Sequence, residues 1–148
     1  MTVKEYLKQI YWTGQRIKQL QEARDTIKAD LYSAKSPNYV ADRVQSSVSG
    51  DTMERLIAQA DELTHDIERE LEKRLALQQK IIDQINKMPA RTESQRLQKS
   101  CLYNRYILCH RWERVADEMN VSLRYVYMIH GDALEAFKRL YFRAKSVH

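Results

Sequence analysis

The chain has 148 residues, 30% of them charged and 43% hydrophobic, with three glycines, two prolines and a net charge of +5. That length supports one or two small domains, and so few glycines and prolines argue against a many-turned sheet protein. No apolar run approaches the roughly 18 residues that span a bilayer, and the start M-T-V-K-E-Y-L-K-Q lacks a signal-like apolar region, so a cytoplasmic protein with no membrane partner is expected.

The first predicted element is a long helix from about Thr2 to Ser33. Thr2 can cap it, with Glu5 three residues later completing a capping box. Val3, Ile10, Ile17 and Leu31 fall in one column of a heptad seam, and Tyr6, Leu20 and Ile27 in the other. Ser33 to Gly50 breaks the pattern with a proline, a glycine and repeated serines, and reads as a long loop. A second helix follows from Asp51 to about Lys87. Its seam runs through Met53, Leu56, Ala60, Leu63 and Ile67. After a one-residue slip it continues through Leu71, Leu75, Gln78, Ile82 and Ile85. Two helices of similar length joined by a reversing loop predict an antiparallel hairpin, and residues 1–89 are assigned to it. A hairpin alone buries little surface, so a homo-oligomer through residues 1–89, a dimer first, is expected.

Met88-Pro89 ends the second helix, because proline disfavours helical backbone in the residue before it. Residues 90–148 are assigned to a second domain. Thr92 or Ser94 can cap a helix over Gln95 to Leu108, whose Leu97, Cys101, Leu102, Ile107 and Leu108 are expected under the elements that follow. Those elements occupy Trp112 to Ile129, W-E-R-V-A-D-E-M-N-V-S-L-R-Y-V-Y-M-I. Trp112 to Met119 is a short helix with Val115, Ala116 and Met119 on one face, and the small Ala116 lets a second helix cross closely. Asn120 suits a left-handed turn better than any other non-glycine residue. Val121 plugs the angle between the helices, and Ser122 is a good N-cap. Val126 and Ile129 face inward on the next helix, which runs on past Gly131 to about Ala144. Small residue, turn residue, apolar plug and N-cap at these offsets predict a helix-turn-helix. The fold class expected is therefore all-α, a long helical hairpin followed by a C-terminal helix-turn-helix domain.

In that motif the exposed N-terminal end of the second helix reaches base edges. Leu123, Arg124, Tyr125, Tyr127 and Met128 are the candidate base contacts. Arg111, Arg114, Ser122, His130, Lys138 and Arg139 are the candidate phosphate contacts. Charge placement agrees with this. Residues 1–89 hold 14 Lys+Arg and 14 Asp+Glu, whereas residues 90–148 hold 11 and 6, so the whole net charge of +5 lies in the second domain. Basic charge attracts phosphate and dominates nucleic-acid affinity. Cys101 and Cys109 lie roughly 12 Å apart if they share one helix, too far to bridge. With His110 and His130 they match no spacing of metal-ligand pairs, so no metal and no cofactor is expected. The chain shows no glycine-rich phosphate loop, nucleophile elbow or clustered carboxylates outside solvated helix faces, and no enzymatic activity is expected.

Leu102 to Leu140 resembles region 4 of sigma-70-type factors, most closely over V-S-L-R-Y-V-Y-M-I-H-G-D-A-L, Val121 to Leu134. The H-G-x-A-L continuation resembles small regulators of the ArpU and RinA type from phages and prophages of Gram-positive bacteria. The D-R-V-Q-S-S segment, Asp42 to Ser47, and the start Met1 to Leu7 look like the same group. The resemblance implies that Leu123, Arg124, Tyr125, Tyr127 and Met128 face double-stranded DNA. One arginine among apolar and aromatic residues departs from sigma factors, which carry charged and amide residues there. Nothing resembles the sigma region that melts promoters. The resemblance thus implies a sequence-specific transcriptional regulator of phage or mobile-element genes, an activator first, with a contact to RNA polymerase left open. A DNA-packaging protein of the small-terminase kind and a helical adaptor without DNA affinity are the alternatives.

Overall fold

The computed structural model describes residues 1–35 and 50–143. Among them the chain is helical with no strand: α1 Val3–Lys35, α2 Gly50–Asn86, α3 Glu93–Leu102, a π-helical turn Tyr103–Ile107, α4 Trp112–Met119 and α5 Leu123–Tyr141. The all-α class and the long N-terminal helix pair are as expected. The loop expected at 33–50 is bounded differently, since residues 33–35 complete α1 and Gly50 opens α2. Residues 36–49, including the Asp42 to Ser47 segment, and the expected last-helix end at Ala144 lie outside the described residues. No helix among the described residues is long and apolar enough to cross a membrane.

Local capping sets two helix starts. The Glu5 N–H donates to Thr2 Oγ1 at 3.2 Å, and the Thr2 N–H returns a bond to Glu5 Oε2 at 2.8 Å. Thr92 and Gln95 repeat this box at α3, with bonds of 3.1 and 3.2 Å. Each box satisfies two N–H groups that the helix itself leaves unpaired.

The chain forms two compact units, Met1–Trp12 with Arg74–His148, and Thr13–Lys73. The division expected at Pro89 falls elsewhere, because the start of α1 and the end of α2 belong to the same core as α5. In the first unit Leu7 and Ile10 of α1, Ile81 and Ile85 of α2, Leu102 and Phe137 are almost wholly buried together. The Tyr6 hydroxyl donates to Gln84 Oε1 and the Tyr141 hydroxyl to the Gln84 carbonyl, both at 2.7 Å. In the second unit Ile17 and Leu20 of α1 pack with Ile67 and Leu63 of α2. Early α1 thus meets late α2 and later α1 meets earlier α2, the order of an antiparallel hairpin.

The seams differ from the sequence reading where a third element intervenes. Leu7 and Ile81 are completely buried although neither lies on the expected seam, while Leu71 and Leu75, both on it, are exposed. A two-helix seam needs a narrow apolar stripe. A helix end enclosed by α5 and the π turn needs a wider one, and Leu7 supplies it. The apolar residues expected under the helix-turn-helix also divide. Leu97 and Cys101 pack beneath α4 and α5, Leu102 and Ile107 join the larger core, and Leu108 is exposed.

Candidate nucleic-acid interface

The turn between α4 and α5 is built as its residues dictate. Asn120 adopts left-handed backbone at φ 55° and ψ 46°. Its N–H donates to the Asp117 carbonyl at 3.1 Å, and the Val121 N–H donates to the Ala116 carbonyl at 3.0 Å. This is the Schellman pairing, which satisfies carbonyls that α4 would otherwise leave open. The usual apolar contact accompanies it, because Val121 and Ala116 share one core. Ser122 then starts α5 in extended backbone, its Oγ accepting from the Tyr125 N–H at 3.1 Å. Three residues therefore stop one helix and start the next.

Beneath the turn, Cys101 of α3, Val115 and Ala116 of α4, and Val126 and Ile129 of α5 form a buried core. Leu97, Trp112, Met119 and Val121 close its edges. Burying Val126, Ile129, His130, Ala133 and Phe137 on one stripe of α5 leaves the opposite stripe in solvent. That stripe carries the expected base-contacting residues. Arg124 is exposed, and Leu123, Tyr125, Tyr127 and Met128 retain 36%, 41%, 48% and 55% of their free surface. Four large apolar or aromatic side chains are thus exposed within two turns of one helix. Tyr125 borders a groove with Asn120, Val121 and the first residues of α3.

The expected phosphate contacts are brought together only in part. Arg111 and Arg114 are exposed at the start of α4. Arg114 pairs with Glu118 at 3.8 Å, an exposed i,i+4 pair contributing about 0.3–0.5 kcal/mol and so readily exchanged for a phosphate. Ser122 is exposed but its hydroxyl already caps α5. Lys138 and Arg139 are exposed about 21 Å along the axis of α5 from Arg124, at the 1.5 Å rise per residue, and lie outside this cluster. His130 is a correction. It was expected as a phosphate contact, yet it is 8% exposed and its Nε2 lies 2.6 Å from the Tyr106 hydroxyl. Burial pulls its pKa down to about 4, reinforced by Lys4, Arg105 and Lys8, so the ring is neutral at physiological pH. Burial likewise pushes the Tyr106 hydroxyl well above its ordinary range, so Tyr106 keeps its proton and the hydrogen bond to His130 joins two neutral groups.

His130 belongs to an aromatic cluster that sequence reasoning missed. Trp112 stacks edge-on to His130 at 4.5 Å and to Tyr127 at 5.4 Å. The Arg105 guanidinium lies 4.4 Å from the Trp112 ring centre, and its Nη1 donates to the His110 carbonyl at 2.9 Å. The cluster ties α5 to α4 and to the π turn beside the exposed stripe, and Tyr127 is its outermost ring. No local pattern announces it, since Tyr106 and His130 are 24 residues apart. Both cysteines are free thiols. Burial pushes the Cys101 thiol up to about 12, and Cys109 is raised by the same cause. Among the described residues no group of three or more His, Cys, Asp or Glu side chains is placed to hold a metal ion.

No protein-family model matches the chain, and neither does any curated protein or solved structure.

Proposed function

We propose that the chain is a sequence-specific DNA-binding transcriptional regulator whose α5 enters the major groove by its first two turns. The observation that carries the reading is the α4–α5 junction. A left-handed Asn120, the plug Val121 and the cap Ser122 leave Arg124, Tyr127 and Met128 projecting from a helix anchored by a core of its own. In this reading Arg124 binds the O6 and N7 of guanine through its guanidinium fork, and Tyr127 and Met128 pack on thymine methyl groups. Arg111 and Arg114 contact phosphates. The exposed carboxylates Glu113, Asp117 and Glu118 on α4 keep that electrostatic contribution small. Two or three phosphate contacts per module correspond to a slope of log K against log salt of about −2 to −3.

The resemblance to sigma region 4 and to phage regulators of the ArpU and RinA type supports a role at promoters of phage or mobile-element genes. In this reading a homo-oligomer forms through the second compact unit, since the apolar ends of α1 and α2 are already covered by α5. Binding of the full chain to short duplexes tests the proposal. Arg124→Ala should cost about 1–3 kcal/mol on a preferred sequence and little on random DNA. Equal losses on both would make Arg124 a phosphate contact. An absence of duplex binding by the wild type would overturn the reading.

A further inference from the structure

We propose that α1 adds a second, backbone-directed DNA contact, a phosphate site in a cavity of about 470 Å³ between Lys8 and Trp12 of α1 and Arg105 and Arg111 next to α4. The inference rests on the helix-turn-helix reading above and names a further part of the same interface.

The lining is chemically one-sided. Lys8, Arg105 and Arg111 bring three cations, and among the described residues no carboxylate lines the cavity. None of the three makes an ion pair among the described residues. The remaining polar groups at the rim are the Trp12 indole N–H, which only donates, and the Tyr11 hydroxyl. The two lining groups of the floor are already engaged. The Tyr106 hydroxyl is bound to His130, and Cys109 Sγ lies 3.6 Å from the Tyr106 carbonyl. Three cations and an indole N–H, with no carboxylate among the described residues to oppose them, suit an anion. The aromatic rim is held out in water, with Trp12 61% exposed and Tyr11 packed edge-on to it at 5.2 Å.

Position selects DNA as the source of the anion. Arg105 at the cavity wall stacks on Trp112, and Trp112 meets Tyr127 on the exposed stripe of α5. One aromatic ring thus separates the cavity from the face proposed to enter the groove. The major groove is about 12 Å wide, so a cation one ring away from the inserted helix meets the phosphate rim and not the base edges. Arg111 stands at the N-cap of α4, which has no side-chain cap.

The test is duplex binding by the full chain over a range of salt, on random and on preferred DNA. Lys8→Ala should weaken both duplexes by the same factor and reduce the salt slope by about 1, and Lys8→Arg should restore it. Trp12→Ala should weaken both without changing the slope, because the indole carries no charge. An unchanged slope for Lys8→Ala in a protein that binds DNA would overturn the α1 contact and leave the helix-turn-helix standing. A wild type that binds neither duplex would overturn both. Melting curves accompany each variant, and Lys8→Gln replaces Lys8→Ala if the latter melts early.

Discussion

Asn120 offers the sharpest test of the turn. Its backbone is left-handed, its side chain is exposed, and it makes no side-chain hydrogen bond among the described residues, so substitutions there act through the backbone alone. Left-handed backbone costs an ordinary L-residue about 1–2 kcal/mol, less for Asn and nothing for Gly. Asn120→Gly relieves that strain but adds the freedom that glycine loses on folding, about 0.5–1 kcal/mol, so it should leave stability within about 0.5 kcal/mol of wild type. Asn120→Ala should destabilise by about 1 kcal/mol, and Asn120→Val, whose branched Cβ fits this region worst, by about 2–3 kcal/mol. For a chain of this size 1 kcal/mol moves the melting temperature by about 3–4 °C. Thermal unfolding followed by helical circular dichroism therefore separates the three variants in the order Gly, Ala, Val. DNA binding should persist in Asn120→Gly. Equal melting of the Gly and Val variants would mean that position 120 is not left-handed and would refute the derivation of the turn.

Other outcomes follow from individual groups. His130 is held neutral, with its pKa lowered from an ordinary value of about 6.5 to about 4. As pH falls the unfolded chain takes up this proton first. The stability it contributes is therefore complete above about pH 6.5, is lost progressively towards pH 4, and amounts to about 3 kcal/mol. Urea unfolding of wild type and His130→Gln should converge by that amount between those pH values, whereas parallel curves would contradict the buried neutral ring. Cys101, wholly buried with its thiol pushed up to about 12, should resist iodoacetamide in the native protein and react after unfolding, as read by mass spectrometry. Gly131 lies inside α5 with nothing within 4 Å of where a Cβ would sit, so Gly131→Ala should stabilise by about 0.5–1 kcal/mol in urea unfolding. A loss of stability there would reveal a contact that the geometry lacks.

What could be read in the sequence was local. Thr2 with Glu5, and Asn120 with Val121 and Ser122, are each defined by hydrogen bonds spanning three to five residues, and each forms as expected; of the two caps offered for α3, Thr92 and Ser94, Thr92 is the one used, and the helix starts at Glu93, two residues before Gln95. The exposed stripe from Leu123 to Met128 follows from the helical period once Val126 and Ile129 are placed inward. What could not be read was decided by partners distant in the chain. Leu7 and Ile81 are buried because α5 covers the ends of α1 and α2, and heptad columns carry no trace of that third element. Pro89 marks the end of a helix, and the compact units divide the chain at other places. His130 looked like a surface group because its partner, Tyr106, lies on another element. Lys8 and Trp12 sit on the outer face of what reads as a coiled coil, and only the packing of α1 against the π turn brings them beside Arg105 and Arg111.

Selection of the full chain against a pool of random duplexes, sequenced after rounds at two salt concentrations, decides whether α5 reads sequence. The expected result is enrichment of a short motif that survives the higher salt, contains a guanine lost on Arg124→Ala, and is palindromic if the chain acts as a dimer. Uniform binding that collapses with salt, or no binding at all, would contradict a sequence-reading helix.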